Sequence, residues 1–147
     1  MITCHIEPIS YNELLTYMRQ QAEEAFPSLK DEERLQAFAA KLHQNAEFCL
    51  CRDNGELVGM IAFYANGQGA DFAYIPHVFV SLDYRKTGLF SRMLKVIEEY
   101  VQERGFSEIK LEVADDNMCA QLAYQKQGFL REGAASTQSS YMKKIIK

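Results

Sequence analysis

The sequence predicts an α/β chain in which strands and helices alternate and a strand pair closes the order. Apolar residues recur at helical spacing in four separate stretches. Between those stretches they alternate or run on as in strands, and turn residues mark nearly every change of period.

Composition bounds the architecture before any element is placed. The 147 residues suit one domain spanning 1–147, and a chain of that length buries roughly 68–70% of its unfolded surface. With 48% hydrophobic and 24% charged residues and no long Pro/Gly/Ser tract, nothing reads as an interdomain linker. The formal charge of −4 argues against a nucleic-acid partner, which needs clustered Lys and Arg. Met1–Pro8 has no basic flank before an apolar run, and no segment approaches the eighteen or so apolar residues of a membrane span. The expectation is a cytoplasmic protein with no membrane partner.

Cys4, Cys49, Cys51 and Cys119 include one close pair, and Cys49-Leu50-Cys51 lacks the two-residue gap of a zinc knuckle. Reduced, structural thiols are expected. His5, His43 and His77 are too scattered to put two ligands on one helical face, so no metal is assigned.

Thr3–Pro8 is a short strand, and Ser10-Tyr11-Asn12-Glu13 fits a capping box opening the first helix. Leu14, Leu15, Met18, Ala22, Ala25 and Phe26 carry its apolar face as far as Pro27. A second helix runs from about Asp31 through Leu35, Phe38, Ala39 and Leu42, making a helical hairpin. The strands Ala46–Arg52 and Leu57–Ala65 flank Asp53-Asn54-Gly55-Glu56, whose Asn-Gly suits a type I′ turn. A further turn, Asn66-Gly67-Gln68-Gly69, leads into a third strand, Asp71–Val80, so an antiparallel meander is expected.

From Leu89, the set Phe90, Met93, Leu94, Ile97, Tyr100 and Val101 forms one helical face, ended by Gly105. Ser107–Ala114 alternates as a fifth strand, and Asn117 is the natural N-cap of a short helix, Met118–Gln127, stopped by Gly128. Phe129–Glu132 and Tyr141–Ile146 read as closing strands around a flexible polar loop, Gly133–Ser140. The turn at Arg85–Phe90 lies between a strand and a long helix. Free backbone N–H groups and the positive helix end meet there, which suits an anion.

With the residues at its joints, this order resembles the GCN5-related N-acetyltransferase (GNAT) family over nearly the whole chain. Two motifs carry the resemblance. Val80 followed by Arg85-Lys86-Thr87-Gly88-Leu89-Phe90 is similar to the family's Gln/Arg-x-x-Gly-x-Gly/Ala loop for the pyrophosphate of acetyl-CoA. Asn117-x-x-Ala120-x-x-x-Tyr124-x-x-x-Gly128-Phe129 is similar to its second motif. One departure is Phe90, where the family usually has a small residue that lets backbone approach the phosphates; its side chain is expected to join the apolar face of Met93 and Leu94.

The resemblance implies a mixed six- to seven-stranded sheet with about four helices, splayed between strands four and five around acetyl-CoA. It implies that Val78, Phe79 and Val80 offer strand backbone to the pantetheine and acetyl groups, that Arg85 to Phe90 hold the pyrophosphate, and that Asn117 and Tyr124 stand at the cofactor. Tyr124 matches the family's general acid. A phenol of reference pKa about 10 can donate toward a departing thiolate of pKa about 8.5.

The base is open between Glu112, on the polar face of the fifth strand, His77 and a water chain. The family's carboxylate on the fourth strand is replaced here by Tyr74 with only Asp71 nearby. Asp115 and Asp116 suit the following helix dipole and can also attract a cationic amine. Cys119 lacks a sequence-evident base, so no covalent acetyl-enzyme is expected. The activity implied is acetyl transfer from acetyl-CoA to a primary amine of a small molecule or peptide by direct attack. The alternative is a non-catalytic acyl-CoA-binding regulatory module. A homodimer is a fair expectation from the resemblance, and the acceptor is not legible.

Overall fold

The computed structural model describes residues 1–24, 31–65 and 71–146. The element order is β1 (Ile2–Ile6), α1 (Tyr11–Glu24), α2 (Glu32–Asn45), β2 (Glu47–Asp53), β3 (Glu56–Tyr64), β4 (Phe72–Val80), a 3-10 turn (Leu82–Tyr84), α3 (Leu89–Glu103), β5 (Glu108–Ala114), α4 (Met118–Lys126), β6 (Leu130–Ala134) and β7 (Ser139–Ile145). The seven strands hydrogen-bond in the order β1-β2-β3-β4-β5-β7-β6. The sheet is mixed: β4 and β5 are parallel, whereas β1–β2, β5–β7 and β6–β7 are antiparallel. The chain forms two compact units, Met1–Ala62 with His77–Val96, and Phe63–Pro76 with Ile97–Lys147.

In the first unit, Ser10 Oγ accepts the Glu13 N–H (3.1 Å), the first half of the expected capping box. The second half is missing. Both Glu13 carboxylate oxygens accept instead from Arg52 of β2, at 2.8 and 3.0 Å, which holds the Glu13 carboxyl below its usual range. Leu14, Tyr17, Met18 and Ala22 are the buried stripe of α1. Asp31 caps α2 by accepting from Glu33 and Arg34 N–H, and Leu35, Ala39 and Leu42 are its buried face. The ion pair between Arg19 and Glu32 joins the two helices of the expected hairpin. Between β2 and β3, Asn54 and Gly55 have φ of 52° and 89°, the left-handed pair that a type I′ turn demands. The expected turn at 66–69 and the helical positions Ala25, Phe26 and Pro27 lie outside the described residues.

One expectation is corrected in this unit. Cys4 and Cys51 form a disulfide instead of remaining free thiols. They face each other directly across β1 and β2, with Cα atoms 4.2 Å apart; cross-strand register creates that proximity, and spacing along the chain does not reveal it. The buried opening residue of α3 is Leu89, while Phe90 is only half-buried. Gly59 of β3 explains the seat: a Cβ there would lie 3.1 Å from Leu89 Cδ2 and 3.2 Å from Met93 Cε, so helix and strand approach where no side chain intervenes.

In the second unit, the C-terminal half of α3 buries Ile97 and Val101. Phe106 N–H bonds to Val101 O (3.1 Å) around Gly105 at φ +88°, a Schellman ending. β5 alternates as expected, with Ile109, Leu111 and Val113 buried. The expected loop Gly133–Ser140 is shorter than its composition suggested. Gly133 and Ala134 extend β6, and Ser139 and Ser140 begin β7 as buried residues. Pairing of Ala114 with Ser139 and Val113 with Ser140 supplies the backbone partners that draw these serines in.

Candidate active site

The first unit contributes the turn in front of α3. Lys86 and Gly88 both have positive φ, 61° and 84°, and such alternation of handedness turns successive N–H groups toward one point. Arg92 N–H closes the first helical bond onto Gly88 O (3.1 Å), and the N–H groups of the preceding turn belong to the open, positive end of the helix. Thr87 Oγ1 donates to Tyr84 O, which fixes the loop on the 3-10 turn. Arg85 folds back: its Nε donates to Val80 O (3.0 Å) and its guanidinium lies 5.7 Å from the Phe79 ring centroid. Arg85 therefore braces the turn, and what the turn has to offer an anion is its backbone N–H groups.

Val78 and Val80 are half-buried, whereas the Phe79 side chain is buried edge-on to Tyr17 and stacked near His77. The Phe79 side chain is thus taken up by the core, which leaves only its backbone to offer a ligand. His77 is buried against Phe38 and Phe79, and burial pushes its pKa down to about 4. It is neutral at pH 7 and belongs to the core.

The second unit holds the other expected residues. Asn117 Oδ1 accepts the Ala120 N–H (3.1 Å) and caps α4. At the far end, Phe129 N–H bonds to Tyr124 O (3.0 Å) around Gly128 at φ +95°, and the Tyr124 and Phe129 rings pack at 5.9 Å. Four of the five motif positions are therefore the two caps of α4 and the packing beside them, and they frame the fifth, Tyr124. Burial raises the Tyr124 phenol to about 12, which keeps it protonated.

Parallel pairing of β4 with β5 covers Phe72–Ile75 and Glu108–Leu111. The next residue of β4 is Pro76, which has no N–H to give to a neighbouring strand. From Glu112 to Ala114, β5 is paired to β7. Glu112 is exposed, and its Oε2 accepts from Ser139 Oγ at 2.6 Å, with Ser136 Oγ a further 2.7 Å from Ser139 Oγ. Beside this lies a cleft of about 610 Å3 lined by Ala114, Asp115, Asp116 and Ser136 to Ser139. Sequence reasoning missed Ser139 and Tyr141 here. The β5–β7 register sets Tyr141 opposite Glu112, a relation no local pattern encodes.

A family model described as the acetyltransferase (GNAT) family matches residues 11–129. The chain belongs to that family. Among curated proteins, this GNAT chain is 24% identical over 88 residues to a probable N-acetyltransferase, camello, of Xenopus tropicalis, covering 60% of the chain and 40% of the relative. It is 32% identical over 103 residues to mouse N-acetyltransferase family 8 member 3, covering 68% of the chain and 45% of the relative. The chain spans about two fifths of the length of the curated relatives it matches.

Solved structures share the fold at lower identity. The PaiA N-acetyltransferase of Thermoplasma acidophilum, solved in complex with coenzyme A, superposes with a TM-score of 0.77 at 18% identity, over 97% of this chain and 99% of that one. A GNAT-family acetyltransferase of Staphylococcus aureus gives 0.81 at 18% identity over the whole of both chains. The ribosomal-protein-S18-alanine N-acetyltransferase of Escherichia coli gives 0.74 at 20% identity, over 99% of this chain and 95% of that one. Among the described residues no helix is long and apolar enough to cross a membrane, and no cluster of candidate metal ligands occurs.

Proposed function

We propose that residues 1–147 act as one N-acetyltransferase domain that moves an acetyl group from acetyl-CoA to a primary amine by direct attack. The observation that carries the reading is the Arg85–Phe90 turn, with left-handed Lys86 and Gly88 ahead of the fifteen-residue helix α3. Its backbone donors suit a pyrophosphate, and the donor set is independent of the Phe90 side chain. Val78, Phe79 and Val80 offer backbone to the pantetheine and thioester, and Asn117 serves the cofactor only indirectly, by fixing α4. A cytoplasmic location belongs to the same reading.

The amine nitrogen attacks the thioester carbonyl carbon, a C–N bond forms, the C–S bond breaks, and the ammonium proton must leave. Glu112 is the proposed acceptor of that proton, directly or through water, with Ser139 holding one carboxylate oxygen in place. Tyr124 faces the opposite task. Handing its proton outright to a thiolate of pKa about 8.5 from a phenol near 12 runs uphill by roughly 5 kcal/mol. Its better role is a hydrogen bond to the sulfur as negative charge develops, with the thiol finally protonated from the released substrate proton.

The test measures CoA binding by calorimetry and thiol release with acetyl-CoA and a panel of polyamines, amino sugars, amino acids and peptides. Wild type is expected to bind CoA and release thiol with at least one amine; Tyr124→Phe is expected to keep binding and lose turnover by about 100-fold, the scale of losing one hydrogen bond to charge that develops in the transition state. Tight binding with no thiol release for any amine would replace the transferase with the binding module.

A further inference from the structure

The second unit carries a cluster of which the reaction scheme uses only Glu112. Glu112 and Tyr141 are direct cross-strand partners on β5 and β7, a placement that brings Cβ atoms to about 4.5–5.5 Å. Tyr74 is the partner of Lys110 across β4 and β5, and so lies diagonal to Glu112 on the same face. Burial raises the Tyr74 phenol above its ordinary value, and the charges of Glu112, Tyr141 and Tyr64 add to it, so Tyr74 lies within electrostatic reach of the other three. Tyr141 and Glu112 are exposed, and Tyr64 and Tyr74 are half-buried.

Three phenols near one carboxylate are the chemistry that attracts an alkyl ammonium, through the ring quadrupoles and the charge together. The neighbouring lysines do not oppose it. Lys110 pairs with Glu132 (3.3 Å), and Lys143 pairs with Glu132 and Glu108 (3.5 and 3.6 Å). Lys110 Nζ also lies 4.4 Å from the Phe72 ring centroid, so this face already places one cation over a ring.

The cleft extends the cluster. Ser139, whose hydroxyl bonds Glu112, also lines the wall that carries Asp115 and Asp116. Asp115 Oδ1 accepts from Ser140 Oγ (2.6 Å), whereas the exposed Asp116 carboxylate has no ion pair or hydrogen bond among the described residues. Glu112 lies near the end of β5 and Asp116 in the turn that follows it, four residues on, so at most about 14 Å of chain separates them. Two anionic positions at that separation, with the cleft that Asp116 and Ser139 line opening beside Glu112, match a linear molecule with a positive nitrogen at each end.

We propose that the acceptor is an aliphatic polyamine: one ammonium sits among Tyr64, Tyr74, Tyr141 and Glu112, and a distal ammonium reaches Asp116 through the cleft. This rests on the transferase reading, because the nitrogen held at Glu112 is the one that loses its proton and attacks the thioester. Specificity then follows from the second charge. A monoamine of similar bulk meets the tyrosines and leaves Asp116 unused.

The experiment compares kcat/KM for butylamine, 1,4-diaminobutane and spermidine, with calorimetry of spermidine against the CoA-loaded protein. Spermidine is expected to exceed butylamine by at least tenfold. Asp116→Asn is expected to collapse the spermidine-to-butylamine ratio, and Tyr141→Leu to weaken spermidine binding by about tenfold; both residues are exposed, so neither change threatens folding. Equal kcat/KM for butylamine and spermidine, with CoA released by both, would overturn the inference and leave the transferase reading standing. Spermidine binding that Tyr141→Leu weakens, without CoA release for any amine, would support the ammonium site and remove the transferase reading. Neither binding nor release of thiol with spermidine would overturn the site.

Discussion

His77 gives the fold a pH dependence whose size follows from its burial. The imidazole packs against Phe38 and Phe79 and has its pKa lowered from 6.5 to about 4. Below pH 6.5 the unfolded chain binds a proton that the native state refuses, so unfolding becomes easier by about 1.4 kcal/mol for each pH unit. The loss continues until the native imidazole protonates near pH 4, and over that window it sums to roughly 3 kcal/mol. Above pH 6.5 both states are neutral and the residue adds no slope. The perturbation is His77→Phe, which keeps an aromatic ring and removes the proton site. The assay is urea unfolding of wild type and variant at pH 7.5, 6.5, 5.5 and 4.5. Carboxylates titrate alike in both proteins, so the difference between the two stability curves isolates His77. Relative to wild type, the variant should gain steadily below pH 6.5; curves that stay parallel from 7.5 to 4.5 would refute the reasoning.

Gly88→Ala places a Cβ in open space but at φ +84°, a strain of about 1–2 kcal/mol. If the turn relaxes to relieve it, CoA affinity measured by calorimetry falls by roughly tenfold. The Cys4–Cys51 bridge closes a separation of 47 residues, which in the chain-entropy model is worth about 4 kcal/mol. Dithiothreitol should therefore lower the urea midpoint, and a non-reducing peptide map should join the two cysteine peptides. Alkylation of the native oxidised protein at pH 8 should label exposed Cys119 alone, since Cys49 is buried with its thiol raised to about 12.

Local signals were legible in this sequence. The Asn54-Gly55 turn, the Asp31 and Asn117 caps and the glycines at 105 and 128 each act through backbone within a few residues, so type and spacing sufficed to place them. The second motif was also legible, because its cap residues and Tyr124 lie on one short helix. Relations across the sheet were hidden. The Cys4–Cys51 bond, the hold of Ser139 on Glu112 and the meeting of Tyr141 with Glu112 all depend on strand register, which is fixed by tertiary packing. Leu89 is more deeply buried than Phe90 for a similarly distant reason: Gly59, thirty positions earlier, leaves room for it. Composition also misled at Ser139 and Ser140, small polar residues that are nevertheless buried once β7 pairs with β5.

The central claim is direct acetyl transfer, and following both products in one reaction tests it most directly. Protein and acetyl-CoA are mixed without and then with spermidine, while free thiol, acetylated amine and the intact protein mass are measured together. Thiol is predicted to appear only after the amine is added, one acetylated amine for each thiol, with no acetyl adduct on the protein at any time. Thiol release before the amine, with an acetylated protein that then discharges to it, would contradict direct attack; no thiol release with any amine would contradict the transferase itself.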